Sequence, residues 1–134
     1  MCKYLHSQGL TPVVLDNLSL GHRESVKWRP LYEGELNDSE LLAEILTKHD
    51  IQAVMHFAAF GYVGESVTEP LKYYQNNVVA TLGLLVSLMD HGVDKIIFSS
   101  SCATYGEPEN VPISENELQC PINPYGRSKL YPRK

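Results

Sequence analysis

Tyr125 and Lys129 stand four residues apart in the segment Pro124-Tyr125-Gly126-Arg127-Ser128-Lys129. On a helix this spacing puts both side chains on one face, one turn from each other. A phenol beside an ammonium is a way to make a base from a group that is normally a weak acid. Free tyrosine titrates near about 10, and neighbouring positive charge favours the phenolate. Taken alone, Tyr-x-x-x-Lys also describes many solvated helix faces. The upstream segment Ser99-Ser100-Ser101-Cys102-Ala103-Thr104-Tyr105-Gly106 changes its meaning. A serine run ending a strand supplies a hydroxyl that can hold the same substrate oxygen.

Alternating strands and helices must position these groups. Lys3 to Gln8 reads as the tail of a helix, stopped by Gly9 and Pro12. Val13-Val14-Leu15, ending in Asp16, reads as a buried strand, and Leu31 to Glu33 as a brief second one. Asp38 is placed to cap a helix running to Lys48, with Leu41, Leu42, Ile45 and Leu46 as its apolar stripe. Ala53 to Ala58 is a third strand and Lys95 to Ser99 a fourth. Between them, Pro70 fits the first turn of a long helix and Gly92 its C-terminal cap. The apolar stripe expected for that helix is Leu71, Tyr74, Val78, Leu82, Leu85 and Met89. Such alternation predicts an α/β fold with a parallel sheet.

Composition narrows the class. The 134 residues are 43% apolar, enough for a globular core, and the net charge of −5 comes without a basic tract. Nucleic acid is therefore not the expected partner. No apolar run approaches the roughly 18–20 residues that a membrane span needs, and residues 1–9 lack the apolar segment of a signal peptide. Three scattered cysteines, Cys2, Cys102 and Cys120, suit reduced thiols and a cytoplasmic location. The histidines show no metal-ligand spacing beyond Cys2 and His6, and no metal site is expected.

Several further segments carry a resemblance. They are Val14-Leu15-Asp16-Asn17-Leu18-Ser19, Glu33-Gly34-Glu35-Leu36, His56-Phe57-Ala58-Ala59, Val63-Gly64-Glu65-Ser66-Val67 and the stretch from Pro70 to Asn77. With the serine run and the Tyr125 segment, in this order and spacing, the chain resembles the extended short-chain dehydrogenases/reductases. Within them it is similar to the UDP-glucose 4-epimerase family. The resemblance implies NAD as cofactor, a UDP-sugar substrate, a place in galactose metabolism and a homodimeric parent. It further implies a hydride round trip at sugar C4. Tyr125 takes the proton of the 4-hydroxyl while hydride leaves C4, and the 4-keto sugar then accepts hydride on its other face. Lys129 assists the tyrosine and binds the nicotinamide ribose, and Ser101 holds the 4-oxygen. Ser99 and Ser100 are read instead as satisfying the backbone at the strand end.

By matching motif positions, the resemblance also assigns cofactor contacts. Asp16 and Asn17 fall at the adenosine ribose, and Glu35 and Leu36 beside adenine. Phe57, Ala58, Ala59 and Phe60 form the loop under the cofactor, Asn76 supplies an amide from the long helix, and Tyr125 and Lys129 complete the set. Gly61 stands where many members carry Lys. Tyr73, Tyr74 and Tyr105 are read as packing residues. Related sugar-nucleotide dehydratases carry Thr-Asp-Glu at the strand end. Here those positions read Ser101, Cys102 and Ala103, which favours epimerisation. UDP-glucose/UDP-galactose is the first substrate pair and a UDP-pentose the alternative.

The family pattern is incomplete at both ends. A dinucleotide site needs a glycine-rich turn about 20 residues before the ribose-binding carboxylate, and none precedes Asp16. In the strand order 3-2-1-4-5-6, the strand before that turn is the central one. Residues 1–134 are thus expected to form one partial Rossmann-type NAD-binding domain, lacking its first strand and the substrate domain. The strands at Val13 and Ala53 would hold unpaired backbone groups, unless they pair with each other or with another chain. Pro132 is expected to bend Tyr131 out of helical geometry and to end the Lys129 helix. Such a chain is expected to be inactive by itself, the other reading being a non-catalytic binding or oligomerisation module.

Overall fold

The computed structural model describes residues 1–27 and 29–133; the expected departure from the family pattern over residues 131–134 falls partly on Lys134, outside them. In chain order the elements are α1 (Cys2–Ser7), β1 (Val14–Asp16), β2 (Leu31–Glu33), α2 (Ser39–Lys48) and β3 (Val54–His56). There follow α3 (Val63–Thr68), α4 (Pro70–Tyr74), a π-helical turn (Gln75–Val79), α5 (Ala80–Asp90), β4 (Ile96–Phe98) and α6 (Pro124–Leu130). The architecture is α/β with parallel pairing.

The sheet is divided. β1 pairs with β2 in parallel, Leu15 opposite Tyr32, and β3 pairs with β4 in parallel, Met55 opposite Ile97. β1 and β3 do not pair with each other, so two two-stranded sheets stand side by side. The observed neighbours reproduce the order 3-2, then 4-5, with the position between them open. All four strands are three residues long, and the Ala53–Ala58 strand shrinks to Val54–His56. A central neighbour is what would extend the ladder on both sides.

Sequence chemistry sets the helix ends. The Asp38 carboxylate accepts from the Leu41 N–H at 3.0 Å and caps α2. Gly92, at φ +70°, follows α5 in the left-handed conformation that glycine takes without penalty. Leu42 and Leu46 of α2 meet Leu84 and Leu88 of α5 in the main core, joined by Leu15 of β1 and Val54 of β3. This pack holds each two-stranded sheet to the same helical layer.

The long helix buries a different face from the expected stripe. Leu71, Leu82 and Met89 are exposed, while Tyr73, Asn77, Ala80, Thr81, Leu84, Ser87 and Leu88 face inward. Three of the inward residues are polar, and a hydrophobicity stripe does not register them. Asn77 and Thr81 enter the core because each is hydrogen-bonded there. The second correction concerns Tyr131. It keeps helical dihedrals (φ −56°, ψ −45°) although Pro132 follows, and the chain continues as a 3-10 turn, Tyr131–Arg133. The steric bias before proline is a preference, and here packing of the helix overrides it.

Candidate functional site

The turn that follows Ser101 and α6 meet in a tight contact. Ser101 ends the segment after β4 in extended conformation and caps the short 3-10 turn Cys102–Thr104. Its Oγ accepts from the Ala103 N–H at 3.2 Å. The hydroxyl proton has no acceptor among the described residues. α6 starts at Pro124, and the Asn123 Oδ1 accepts from the Gly126 N–H at 2.7 Å. A Cβ on Gly126 would lie 2.4 Å from the Ala103 carbonyl oxygen. Glycine is therefore what lets the helix bearing Tyr125 and Lys129 abut the turn that follows Ser101.

Lys129 is 3% exposed, with Nζ 4.6 Å from the centroid of the Phe98 ring on β4. Burial pulls its ammonium below the ordinary lysine value. The cation rests on an aromatic face rather than in an ion pair. Tyr125 is half-buried, its ring edge-on to Tyr73 with centroids 6.4 Å apart. Two phenols thus adjoin, but they are not equivalent. The Tyr73 hydroxyl donates to Glu65 Oε2 at 2.6 Å and accepts from the Tyr62 N–H at 3.1 Å. Burial, and then that carboxylate, push Tyr73 up to about 12. Tyr73 stays protonated as a packing group, as expected of it. The Tyr125 hydroxyl has no partner among the described residues.

The remaining candidates gather at the carboxyl ends of β1 and β3, where ligands bind in open α/β sheets. A cleft of about 170 Å³ is lined by Asp16, Asn17, Glu35, Leu36, Phe57, Ala58, Ala59, Phe60 and Asn76. Asn17 donates to Glu35 at 3.1 Å, closing one wall. Asp16 Oδ1 accepts from the Leu18 N–H at 2.8 Å, and Leu18 takes φ +55°, unusual for a leucine. Strain of this kind, held by an Asx turn, collects at ligand-binding loops. Gly61 lies in open space at the rim, exposed and without a charge to offer.

Sequence reading missed the residue that ties the cleft to α6. Asn77, 1% exposed, accepts from the Phe60 N–H at 2.9 Å and donates to the Phe60 carbonyl at 3.0 Å. It also donates to Ser128 Oγ at 2.9 Å and accepts from Asn76 at 2.9 Å. All four hydrogen-bonding valences of the amide are thereby used. The available signal was the asparagine pair itself, polar residues doubled in an otherwise apolar helix; Asn77 sits in a π-helical turn, a geometry common at functional sites.

His56, 4% exposed at the end of β3, opens the His56-Phe57-Ala58-Ala59 motif and has a structural role that the motif does not reveal. Its Nε2 lies 2.9 Å from Thr81 Oγ1, and that hydroxyl already donates to the Asn77 carbonyl at 2.8 Å. A hydroxyl has one proton, so Nε2 must carry the hydrogen. Burial first, and the Lys129 charge second, lower His56 to about 4 and keep it neutral. Of the two strand-end serines, Ser100 departs from expectation. The buried Ser100 Oγ has no partner among the described residues, and it is the Ser99 N–H, not a side chain, that bonds the His56 carbonyl at 3.0 Å.

This is a Rossmann-type nucleotide-binding architecture with its ligand cleft at the strand ends. The family model described as GDP-mannose 4,6 dehydratase matches residues 1–134, and the chain belongs to that family. Among curated relatives it is 51% identical over 128 residues to the UDP-glucose 4-epimerase of Rhizobium leguminosarum bv. trifolii, covering 96% of this chain and 39% of that protein. It superposes with a TM-score of 0.96 on the crystal structure of UDP-glucose 4-epimerase from Brucella ovis in complex with NAD. The identity there is 52%, over 98% of this chain and 41% of that one. A UDP-glucose 4-epimerase from Stenotrophomonas maltophila, with bound NAD and formylated UDP-arabinopyranose, gives 0.95 at 33% identity, over 98% and 42%. The chain thus spans about two fifths of the length of these relatives. No described helix is long and apolar enough to cross a membrane.

Proposed function

We propose that this chain supplies the cofactor cleft and catalytic side chains of a UDP-sugar 4-epimerase, interconverting UDP-glucose and UDP-galactose by oxidation and re-reduction at sugar C4. The observation that carries this reading is the Gly126–Ala103 contact. It packs the Tyr125 and Lys129 helix against the turn that begins with Ser101, leaving the Ser101 proton and the Tyr125 hydroxyl both uncommitted.

The cleft fits the adenosine end of NAD. Asp16 offers carboxylate oxygen to ribose hydroxyls, Leu36 an apolar wall to adenine, and Ala58 and Ala59 let backbone approach a ligand closely. When bound, NAD supplies reversible hydride acceptance. This chain's own residues do the rest. Tyr125 removes the 4-hydroxyl proton and returns it, Ser101 holds the oxygen, and the buried Lys129 places a positive charge one turn from the phenol. Cys102 and Ala103 offer no carboxyl to protonate a leaving hydroxyl, so elimination of water is not the favoured chemistry.

The test is a chimera in which this chain replaces the matching 128 residues of the Rhizobium relative. It should interconvert UDP-glucose and UDP-galactose, and Tyr125→Phe should cut turnover by orders of magnitude while NAD content stays near that of the parent chimera. Near-normal turnover in that variant removes Tyr125 from the mechanism. Running UDP-arabinose in parallel distinguishes the pentose reading.

A further inference from the structure

We propose that Phe98 is a positioning residue for Lys129: the face of its ring holds the buried ammonium in place and in its charged form, without a counter-ion. The inference rests on the role proposed above for Lys129.

A buried ammonium needs an electrostatic partner, because leaving water disfavours its charged form. Lys129 is 3% exposed, and burial is the sole cause of its lowered value. No ion pair among the described residues includes it. What it has is Phe98, with Nζ over the ring and 4.6 Å from its centroid. The face of an aromatic ring is negative, and its attraction for a cation strengthens where water is excluded.

The ring is fixed from its other side. Phe98 on β4 is registered opposite His56 on β3, with ring centroids 5.5 Å apart at 46°. His56 is held in turn by Thr81, 2.9 Å away. Its imidazole stays neutral, so it sets no second cation against the same ring.

The other titratable groups packed around α6 offer Lys129 no anion. On α3, Glu65 is taken by Lys72 and by the Tyr73 hydroxyl, both from α4. Tyr73 itself stays protonated. In the turn after Ser101, Cys102 is exposed. On α6, Arg127 is exposed and Tyr125 stands one turn back. A neutral partner has a consequence for Tyr125. A carboxylate paired with Lys129 would cancel the ammonium's field and disfavour a phenolate nearby. A ring steadies the cation and adds no net charge, so the whole positive charge acts on the phenol.

The test places mono-, di- and trifluorinated phenylalanine at position 98 of the chimera. Fluorine draws electron density from the ring face with little change of size, so packing is kept while the attraction weakens stepwise. Lys129 is followed by NMR of lysine labelled at Cε, its signal assigned by its loss in Lys129→Met. The titration midpoint should fall with each fluorine, by roughly 0.5–1.5 pH units at the trifluorinated ring. The alkaline limb of the kcat profile should fall with it, and Phe98→Leu should lie at or below the trifluorinated value. A midpoint unmoved by fluorine, or one in Phe98→Leu equal to the parent's, overturns the inference. So does a moving midpoint with a fixed kcat limb. The proposed function fails on a separate result: near-normal turnover in Lys129→Met removes Lys129 from the mechanism, whatever the midpoints show.

Discussion

The side-chain amide of Asn77 bonds both backbone polar groups of Phe60, replacing the strand neighbour that the loop after β3 does not have. The same amide reaches Ser128, the residue before Lys129, so one side chain couples the loop after β3 to α6. Asn77→Ala would leave the Phe60 N–H and C=O without partners in a poorly hydrated site. Each such loss costs about 1–3 kcal/mol. Urea denaturation should show the variant destabilised by roughly 2–6 kcal/mol, and Asn76→Ala by clearly less, since Asn76 only donates to Asn77. Equal midpoints for the two variants would show that the clamp carries no weight.

Gly126 offers a case where two effects oppose. In a helix, glycine to alanine normally stabilises by about 0.5–1 kcal/mol. At Gly126 the new methyl would meet the Ala103 carbonyl at 2.4 Å, and a backbone oxygen cannot swing away as a side chain can. Overpacking of this kind costs typically about 1–3 kcal/mol, so the net sign is destabilising. A lower thermal midpoint for Gly126→Ala than for the parent is expected, with Arg127→Ala, on the exposed side of α6, close to parent. A raised midpoint for Gly126→Ala would mean the contact is loose.

Stability should fall with acid in a window set by His56. Its folded value of about 4 lies below the ordinary 6.5, so the unfolded chain binds more protons between them. The stabilisation is fully present above about pH 6.5 and is lost as pH falls toward 4, with a slope of at most roughly 1.4 kcal/mol per pH unit. Glu65, lowered by Lys72 and then Tyr73, acts in the same direction but only below its own ordinary value of 4.5. Denaturation midpoints at pH 7 and 5.5 isolate the histidine. His56→Gln keeps a donor toward Thr81 and should flatten that interval; an unchanged slope would assign it elsewhere.

Binding of NAD by the chain alone should be weak. The cleft holds groups for the adenosine end, but the sequence contains no glycine-rich turn to cradle a pyrophosphate. Calorimetric titration is expected to give no saturable heat at submillimolar NAD. A one-to-one micromolar isotherm would show that Asp16 and its neighbours suffice.

Much of the fold was legible in the sequence because element ends act through local signals. Asp38 and Pro70 mark helix starts, and Gly92 marks a stop, by chemistry confined to one turn. Most candidate residues of the cleft lie at a strand end or in the loop just after one, so placing β1, β2 and β3 places them too, Asn76 on the long helix excepted. The buried face of the long helix was hidden for the opposite reason. Asn77 and Thr81 are polar, and only partners distant in sequence, Phe60, Ser128 and His56, make their burial favourable. Ser100 and the Tyr131–Pro132 step likewise depend on tertiary packing that no short window contains.

The central claim is that Ser101, Tyr125 and Lys129 serve hydride chemistry at sugar C4. It is tested most directly with UDP-glucose carrying deuterium at C4, turned over by the chimera in ordinary water. The expected product is UDP-galactose that retains the deuterium at C4, because the hydride leaves and returns within one site. Product with hydrogen at C4, its deuterium released to solvent, would contradict it and point instead to proton abstraction from carbon.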